Sequence, residues 1–255
     1  GGRGYEESLI KRDGSKKVCV LRLVTTLFKC YFRLNTLRLC RNLSRPVIAK
    51  GLDGEKGLGG RGELVGFRFY LGRVAMFEDS FDESSSSLRS AYKLTPPSHR
   101  NRSLILTYLI PVLILRGTLP TPALLDSSGL AALYGGIVAA VRTGDMRLWN
   151  KCMSENQRTF VAKGIYLLLH RTRLLVHRTL FLRLSYILQS PQIPLPLVHT
   201  SLKALGDYDM DVDEIECVLS NLIYKGVVRG YISHEKRTLV LSKKEGFPRA
   251  ALQKL

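Results

Sequence analysis

The sequence contains no cysteine pair of the kind that binds zinc or builds a disulfide framework. Its cysteines are Cys19, Cys30, Cys40, Cys152 and Cys217, with no Cys-x-x-Cys motif and no clustering with histidine. Each lies in an apolar, helix-like stretch, where a free cysteine behaves as a small buried hydrophobe. An odd number without a framework indicates a reducing compartment, the cytosol or the nucleus.

Motifs for catalysis are also lacking. The histidines are scattered and form no His-Glu-x-x-His pair, so they predict no metal site. There is no Gly-x-Ser-x-Gly nucleophile elbow and no metal-binding His-x-His signature of a deubiquitinase. The glycine-rich stretch at 51–66 matches neither common phosphate-binding loop. We therefore expect a protein that is not an enzyme and that uses no metal or cofactor.

Long hydrophobic runs are missing as well. The longest, residues 104–115, is interrupted by Pro111 and is too short to span a bilayer, so a buried helix is the better interpretation. Residues 1–17 lack the apolar core of a signal peptide. The sequence therefore predicts no association with a membrane.

What the sequence has in excess is positive charge. It carries 39 Lys and Arg against 21 Asp and Glu, a formal net charge of +18 over 255 residues. A surface of this kind attracts polyanions, which include RNA, DNA, acidic proteins and anionic lipids. The hydrophobic fraction of 45% is that of an ordinary globular protein with a buried core.

The first part of the chain has the periodicity of paired helices. Apolar residues recur every three or four positions between 17 and 49, with a break predicted near Asn35. Further helices are predicted over 67–77, 81–94, 100–116, 123–126, 131–143 and 146–157. Seven glycines within 51–66 predict a flexible loop. We therefore predict a disordered segment at 1–16 and a tetratricopeptide-like helical-repeat solenoid at 17–157 that contains the loop 51–66.

The last third has the element order of a winged helix, which we predict for residues 158–248 with a tail at 249–255. A helix at 160–170 precedes a strand at 173–176, and two helices follow at 180–189 and 195–205. A third helix is predicted to begin at Asp211 or Asp213 and to end before Gly226. Two strands, 227–232 and 238–241, complete a hairpin. The predicted fold class is mostly α, a helical-repeat solenoid followed by a C-terminal winged helix.

The third helix and the first strand of the hairpin carry a family resemblance. The segment DVDEIECVLSNLIYKG at 211–226, followed by VVRGYISH at 227–234, closely resembles the C-terminal PCI module of the mRNA-export subunit of the TREX-two complex. Shorter matches are TLFKCYFRLN at 26–35, YLGRVAMF at 70–77, LTYLIPV at 106–112 and the pair Phe247-Pro248. The resemblance spans about residues 18–248, and it extends to the signalosome-subunit-twelve-like family.

This resemblance implies a function and partners. A PCI protein of this type is expected to be a scaffold subunit of a nuclear mRNA-export complex, located in the nucleus and at nuclear pores with some cytoplasmic protein. Its expected partners are a larger PCI-like scaffold subunit, a small acidic subunit, and RNA or DNA bound through phosphates. The alternative within the same fold is a structural subunit of a signalosome or proteasome-lid type complex. An alternative of another class is a free-standing DNA-binding regulator.

Basic residues on the predicted wing, together with one lysine on a preceding helix, are the candidate nucleic-acid contacts. They are Lys203, Arg229, His234, Lys236, Arg237, Lys243 and Lys244. Contacts with phosphates position a nucleic-acid strand without reading its sequence. A solvated charged hairpin remains the alternative, because nine basic residues face eight acidic ones between residue 202 and the end of the sequence.

The third helix and the middle of the chain add two expectations. The helix opens with Asp213, Glu214 and Glu216, whereas helices that read bases present Arg, Asn or Gln, so sequence-specific duplex recognition is disfavoured.

Residues 99–190 carry a large basic excess that could bind the acidic subunit or nucleic acid. Several of these arginines could instead lie along helix surfaces. The basic residues of this stretch are Arg100, Arg102, Arg116, Arg142, Arg147, Lys151, Arg158, Lys163, Arg171, Arg173, Arg178 and Arg183.

Overall fold

The computed structural model describes residues 19–52, 60–205 and 210–248, and the predicted disordered segment 1–16 and tail 249–255 lie outside these ranges. The chain divides into two compact units, with the boundary between Val112 and Leu113. Within the described ranges, no helix is long and apolar enough to cross a membrane.

The first unit is built from consecutive helices. They are α1 (residues 19–33), α2 (Arg38–Ala49), α3 (Arg61–Phe77), α4 (Phe81–Leu94) and α5 (Asn101–Leu115), the last of which continues past the unit boundary. The predicted break near Asn35 is confirmed, since this residue has a φ of 55° and separates α1 from α2. The core forms where the apolar stripes of α1, α2 and α3 meet, around Phe28, Cys40 and Phe67.

Helices α3 and α4 pack closely because of one glycine. A Cβ atom added at Gly72 would lie 2.6 Å from Cγ of Leu88, so only glycine permits this approach. The hydroxyl of Ser84 donates a hydrogen bond of 2.8 Å to the carbonyl oxygen of Gly72, which fastens the two helices at the same level. The guanidinium of Arg41 adds hydrogen bonds to the carboxylates of Glu78 and Glu83.

The predicted glycine-rich loop 51–66 is wrong at its C-terminal end, because α3 begins at Arg61. Leu64 and Phe67 are buried in the core of the first unit, and this burial outweighs the poor helix propensity of Gly62 and Gly66. Gly60, with extended backbone, is the residue that precedes the helix. Residues 53–59 lie outside the described ranges.

The second unit begins with shorter helices around an aromatic core. They are α6 (Pro122–Ser127), α7 (Ala131–Thr143), α8 (Met146–Glu155), α9 (Gln157–Lys163) and α10 (Tyr166–His170). The ring of Tyr134 stacks on that of Phe160 with 6.2 Å between centroids. The single helix predicted at 160–170 is wrong, because Gly164 adopts a left-handed φ of 70° and separates α9 from α10.

The strand predicted at 173–176 is also wrong. This segment is the start of a long helix, α11 (Arg173–Leu188). Leu175, Val176 and Phe181 are buried in succession along that helix, and so short an apolar run does not by itself distinguish a strand from a buried helix turn. The strand lies instead at β1 (Gln192–Pro194), which follows Pro191, ends with Pro194 and forms an edge of the sheet.

The remaining elements complete the winged helix. They are α12 (Leu195–Ala204), α13 (Val212–Tyr224), β2 (Gly230–Ser233) and β3 (Thr238–Leu241). The strands form an antiparallel sheet in the order β1-β3-β2. Strand β2 begins later than predicted, because Val227 and Val228 are fully buried core residues ahead of it. The predicted fold class, mostly α with helical pairs before a C-terminal winged helix, is confirmed.

Candidate nucleic-acid interface

The wing is the hairpin of β2 and β3, and its turn is fixed to the rest of the winged helix. Arg237 lies in the turn with a positive φ of 45°, and its N–H donates to the carbonyl oxygen of His234 at 3.1 Å. The carbonyl oxygen of Arg237 in turn accepts a hydrogen bond of 2.8 Å from the N–H of Leu195, the first residue of α12. The backbone at the tip of the wing is therefore held in place.

Six of the seven predicted contact residues lie on the wing, in two groups at opposite ends of the hairpin. His234, Lys236 and Arg237 lie in the turn that joins β2 to β3, and all three are exposed. Arg229 precedes β2, while Lys243 and Lys244 follow β3 at the other end, and these are also exposed. The seventh, Lys203, is exposed in the last turn of α12 and belongs to a different element.

Two of these residues have acidic partners. A nitrogen of the Arg229 guanidinium lies 3.5 Å from a carboxylate oxygen of Glu245, and both side chains are more than half exposed. Nδ1 of His234 lies 2.9 Å from Oε2 of Glu216 on α13. An ion pair as exposed as that of Arg229 and Glu245 holds its partners weakly, whereas the Glu216 side chain is only 17% exposed. For the other five side chains, no ion pair occurs with any described part of the chain: Lys203, Lys236, Arg237, Lys243 and Lys244.

Helix α13 opens with an acidic surface, as predicted. The Asp211 carboxylate accepts a hydrogen bond of 2.7 Å from the N–H of Glu214, and the Glu214 carboxylate accepts one of 3.3 Å from the N–H of Asp211. This capping box uses negative charge where the helix dipole favours it. Asp213 is also exposed in the first turn. The start of the helix is therefore negatively charged and would repel the phosphates on either side of a major groove.

The basic stretch 99–190 includes one arginine that faces inward. Arg178 is only 6% exposed, and its guanidinium donates to the carbonyl oxygens of Val227 at 3.1 Å, Phe247 at 2.9 Å and Pro248 at 3.4 Å. The interpretation of this residue as a partner contact is therefore wrong. Arg178 ties α11 to the segments on both sides of the wing, and no signal in the sequence separates it from the other arginines.

Two more arginines of this stretch bind their own chain. Arg102 donates to the carbonyl oxygen of Thr95 at 3.3 Å, and its guanidinium carbon lies 4.0 Å from the ring centroid of Tyr92. Arg147 donates to the carbonyl oxygen of Ala204 at 2.7 Å. These contacts favour the alternative of arginines along helix surfaces. The exposed cations that remain in the second unit include Arg142, Arg158 and Arg183.

The first unit contains a groove that the sequence did not predict. It has a volume of about 500 Å³ and lies between α1, α3 and α5, with Arg22 and Lys29 on one side and Phe69, Tyr70 and Leu104 among its lining. Next to it, the guanidinium of Arg73 lies 4.3 Å from the ring centroid of Phe32 and 4.2 Å from that of Tyr108. Burial among these rings lowers the pKa of Arg73, while the neighbouring tyrosines raise it.

Nothing in the described part of the chain resembles a metal centre. No group of three or more His, Cys, Asp or Glu side chains converges there. Burial is the main cause that raises the pKa of both Cys40 and Cys152, so these thiols are not poised for reaction. Cys19, Cys30 and Cys217 are exposed, so the interpretation of every cysteine as a buried hydrophobe is wrong for these three. The wing remains the element that carries six of the seven predicted contact residues, in two groups at opposite ends of the hairpin.

The comparison with known families places a domain over the same elements. The profile of the PCI domain matches residues 153–243, which extend from α8 to just past β3.

Similar proteins extend this match to most of the chain. PCI domain-containing protein 2 of Danio rerio is 37% identical over 237 residues, which are 92% of this chain and 58% of that protein. The PCI domain-containing protein 2 homolog of Dictyostelium discoideum is 34% identical over 93% of this chain and 55% of its own length. The Protein CSN12 homolog of Mycosarcoma maydis is 34% identical over 92% of this chain and 55% of its own length. The chain thus spans little more than half the length of these relatives.

Proposed function

This chain is a PCI-domain protein, and from that premise we propose that it is a scaffold subunit of a nuclear complex that couples transcription to mRNA export. PCI-domain proteins are generally non-catalytic members of multi-subunit complexes. The resemblance of residues 211–234 to the PCI module of the mRNA-export subunit of the TREX-two complex supports the choice of complex. The similarity to PCI domain-containing protein 2 extends along 92% of the chain, so it covers the helical region as well as the winged helix.

The proposed role includes non-specific contact with RNA. The observation that supports it is a set of exposed cations on the wing that form no ion pair with any described residue. Lys236 and Arg237 at one end of the hairpin, and Lys243 and Lys244 at the other, present positive charge that no described acidic residue neutralises. Phosphate oxygens are the natural partners of such groups, and they give affinity without sequence preference. The acidic start of α13 directs the nucleic acid to the wing rather than to that helix.

The proposed protein partners are a larger PCI-like scaffold subunit and a small acidic subunit. Exposed cations in the second unit, among them Arg142, Arg158 and Arg183, suit an acidic partner because opposite charges attract over about 10 Å at moderate salt. The proposed location is the nucleus, at nuclear pores, with a cytoplasmic fraction.

A second candidate is a structural subunit of a signalosome or proteasome-lid type complex. The observation that favours it is the similarity to the Protein CSN12 homolog of Mycosarcoma maydis. In that case the protein would contact other proteins only, and the cations of the wing would be a solvated face.

The test is the salt dependence of binding to single-stranded RNA. In the test variant, Lys236, Arg237, Lys243 and Lys244 are all changed to Ala. We expect weaker binding and a shallower slope of log K against log salt, because each lost phosphate contact removes about 0.7 from that slope for a single strand. Fluorescence anisotropy of a labelled RNA measures both quantities, with the chain alone and with its expected partner subunits.

A variant with the same loss of charge elsewhere serves as the control. Lys29, Arg33, Arg38 and Arg45 are exposed on α1 and α2, and they make no ion pair with any described residue. Changing these four to Ala should leave the affinity and the slope close to those of the parent protein. If both variants weaken binding equally, the effect comes from net charge and not from the wing. Absence of RNA binding by the parent, even with its partners, would favour the second candidate.

A further inference from the structure

The outward face of the wing sheet is neutral and carries one aromatic side chain. Gln192 of β1, Val240 of β3 and Tyr231 of β2 stand opposite one another in register and form a row across the sheet. The next row, Ile193, Leu239 and Ile232, points the other way, and its first two members are fully buried. Because side chains alternate between faces along a strand, Tyr231 lies on the face directed to solvent.

The ring of Tyr231 is unoccupied within its own chain. The residue is 63% exposed. It has no ring contact, cation–π contact or side-chain hydrogen bond with any residue that the structure describes. An exposed aromatic side chain on the edge strand of a sheet, without a neighbour that stacks on it, offers its flat surface to a ligand.

Cations lie beyond both ends of this face. The turn residues Lys236 and Arg237 lie at one end of β3, and Lys243 and Lys244 follow its other end. At about 3.3 Å per residue, the ends of this four-residue strand are roughly 10 Å apart. A strand of phosphates that runs along β3 would therefore meet positive charge at both ends of the hairpin. Tyr231, on the neighbouring strand β2 opposite Val240, lies between these two groups of cations.

We propose that Tyr231 stacks on an unpaired base of a single-stranded RNA or DNA whose phosphates are held by the cations at the two ends of the wing. This inference rests on the proposed RNA contact and adds the class of nucleic acid and a residue that binds it. A base can stack on a side chain only when it is not already stacked inside a duplex, so the site selects single strands. The neutral face accepts any of the four bases, because each of them has a flat aromatic surface.

The test compares Tyr231→Ala, Tyr231→Phe and the parent protein in binding a labelled oligouridine of about ten nucleotides, a length within the usual range for one single-strand module. We expect Tyr231→Ala to weaken binding about 5- to 150-fold, the range found when a stacking aromatic is removed. The slope of log K against log salt should not change, because no phosphate contact is lost. Tyr231→Phe keeps the ring and should bind like the parent.

An oligonucleotide of the same length and charge without bases separates stacking from charge. The parent protein should bind this abasic strand more weakly than oligouridine, while Tyr231→Ala should bind the two strands equally. The matched control is Tyr224→Ala, because Tyr224 is 91% exposed on α13 and lies outside the sheet face, so its removal should leave the affinity unchanged.

The outcomes distinguish this inference from the function on which it rests. If the Lys236, Arg237, Lys243 and Lys244 variant loses affinity while Tyr231→Ala binds like the parent, the wing binds phosphates and the stacking proposal is overturned. Equal losses for Tyr231→Ala and Tyr224→Ala would also overturn it. If the parent does not bind oligouridine at all, both the inference and the RNA part of the proposed function fail.

Discussion

At the scale of single residues, Arg178 is a buried cation with a structural role. Arg178 is buried, whereas Arg142, Arg158 and Arg183 of the same basic stretch are exposed. Its guanidinium donates hydrogen bonds to backbone carbonyl oxygens on both sides of the wing. Its guanidinium carbon also lies 5.7 Å from the ring centroid of Phe247. A planar group with five donors spread over three nitrogens suits such a site, whereas the three donors of a lysine ammonium radiate from a single nitrogen.

We predict that Arg178→Met lowers the free energy of unfolding of the second unit by about 2–4 kcal/mol. The substitution keeps much of the apolar volume but leaves buried carbonyl oxygens without a donor. Urea unfolding followed by circular dichroism measures the change. Arg183→Met on the exposed side of the same helix is the control, and it should shift stability by less than about 0.5 kcal/mol. Equal shifts for the two variants would contradict the anchoring role of Arg178.

Arg73 shows a second way in which this protein accommodates a partly buried guanidinium. No ion pair with a described acidic residue is present, and the faces of Phe32 and Tyr108 lie on the cation instead. Attraction between a cation and aromatic rings offsets part of the cost of removing the charge from water. That cost is the first cause of the lowered pKa of Arg73. The contact joins α1, α3 and α5 within the first unit.

At the scale of elements, the packing of α3 against α4 depends on the absence of one side chain. We predict that Gly72→Ala destabilises the first unit by about 1–3 kcal/mol, because the new Cβ would lie 2.6 Å from Cγ of Leu88 and the helices must separate. Thermal unfolding is the measurement.

The same helix supplies the control. Gly62 lies in the first turn of α3 with open space around the position of a Cβ, so Gly62→Ala should stabilise the protein by roughly 0.5–1 kcal/mol. A stabilised Gly62→Ala together with a destabilised Gly72→Ala would agree with a helix that starts at Arg61. A neutral Gly62→Ala would instead favour the loop that we predicted from the glycine content.

Helix α13 is the element for which local chemistry and tertiary role agree most closely. Its capping box, the acidic first turn and the buried side chains of Ile215, Leu219 and Leu222 are all visible in the sequence. The same acidic residues that stabilise the helix also disfavour its use as a reader of bases. The nucleic-acid contact that we propose is therefore assigned to the hairpin, which has the opposite charge at its ends.

At the scale of the whole molecule, the features that support the proposed function lie in different units of the chain. The second unit contains the PCI match and the wing, while the first unit contributes helical pairs and the groove between α1, α3 and α5. The chain spans 55% to 58% of the length of the relatives described above. The function of a complete protein of this family is therefore proposed for this chain.

We predict that an affinity-tagged chain co-purifies with a larger PCI-like subunit and a small acidic subunit. Reversal of charge at Arg142, Arg158 and Arg183 to Glu should release the acidic subunit and retain the larger one, because like charges repel a partner that opposite charges attract. Quantitative mass spectrometry of the purified complexes is the measurement. The same reversal at Lys29, Arg33 and Arg38 is the control. Recovery of signalosome or proteasome-lid subunits would support the second candidate function.

The sequence predicted the elements whose signal is local. The break at Asn35, helix α4 at Phe81–Leu94, helix α7 at Ala131–Thr143 and strand β3 all agree with the predicted ranges. In each case the apolar period and the flanking residues favour the same structure, so tertiary contacts did not have to choose between alternatives. The segment that carries the family resemblance includes the capping box of α13 and strand β2, and it lies within the matched PCI domain.

Tertiary packing decided what the local pattern left open. The run at 173–176 fits a strand or a helix, and burial of Leu175 and Val176 in α11 selected the helix. The glycines of 61–66 favour a loop, but burial of Leu64 and Phe67 selected a helix. Periodicity ranks local conformations, whereas the free energy of burying apolar surface depends on which distant segments meet.

In the candidate site, too, some features follow from the sequence and others depend on the tertiary structure. The sequence by itself determined the charges of the wing and the acidic start of α13, because both follow from composition within a single element. Only the tertiary structure decided that Arg178 is buried while Arg183 is exposed, and that Tyr231 lies on the free face of the sheet. Residue type sets what a side chain can bind, but strand register and helix packing set whether solvent and ligands can reach it.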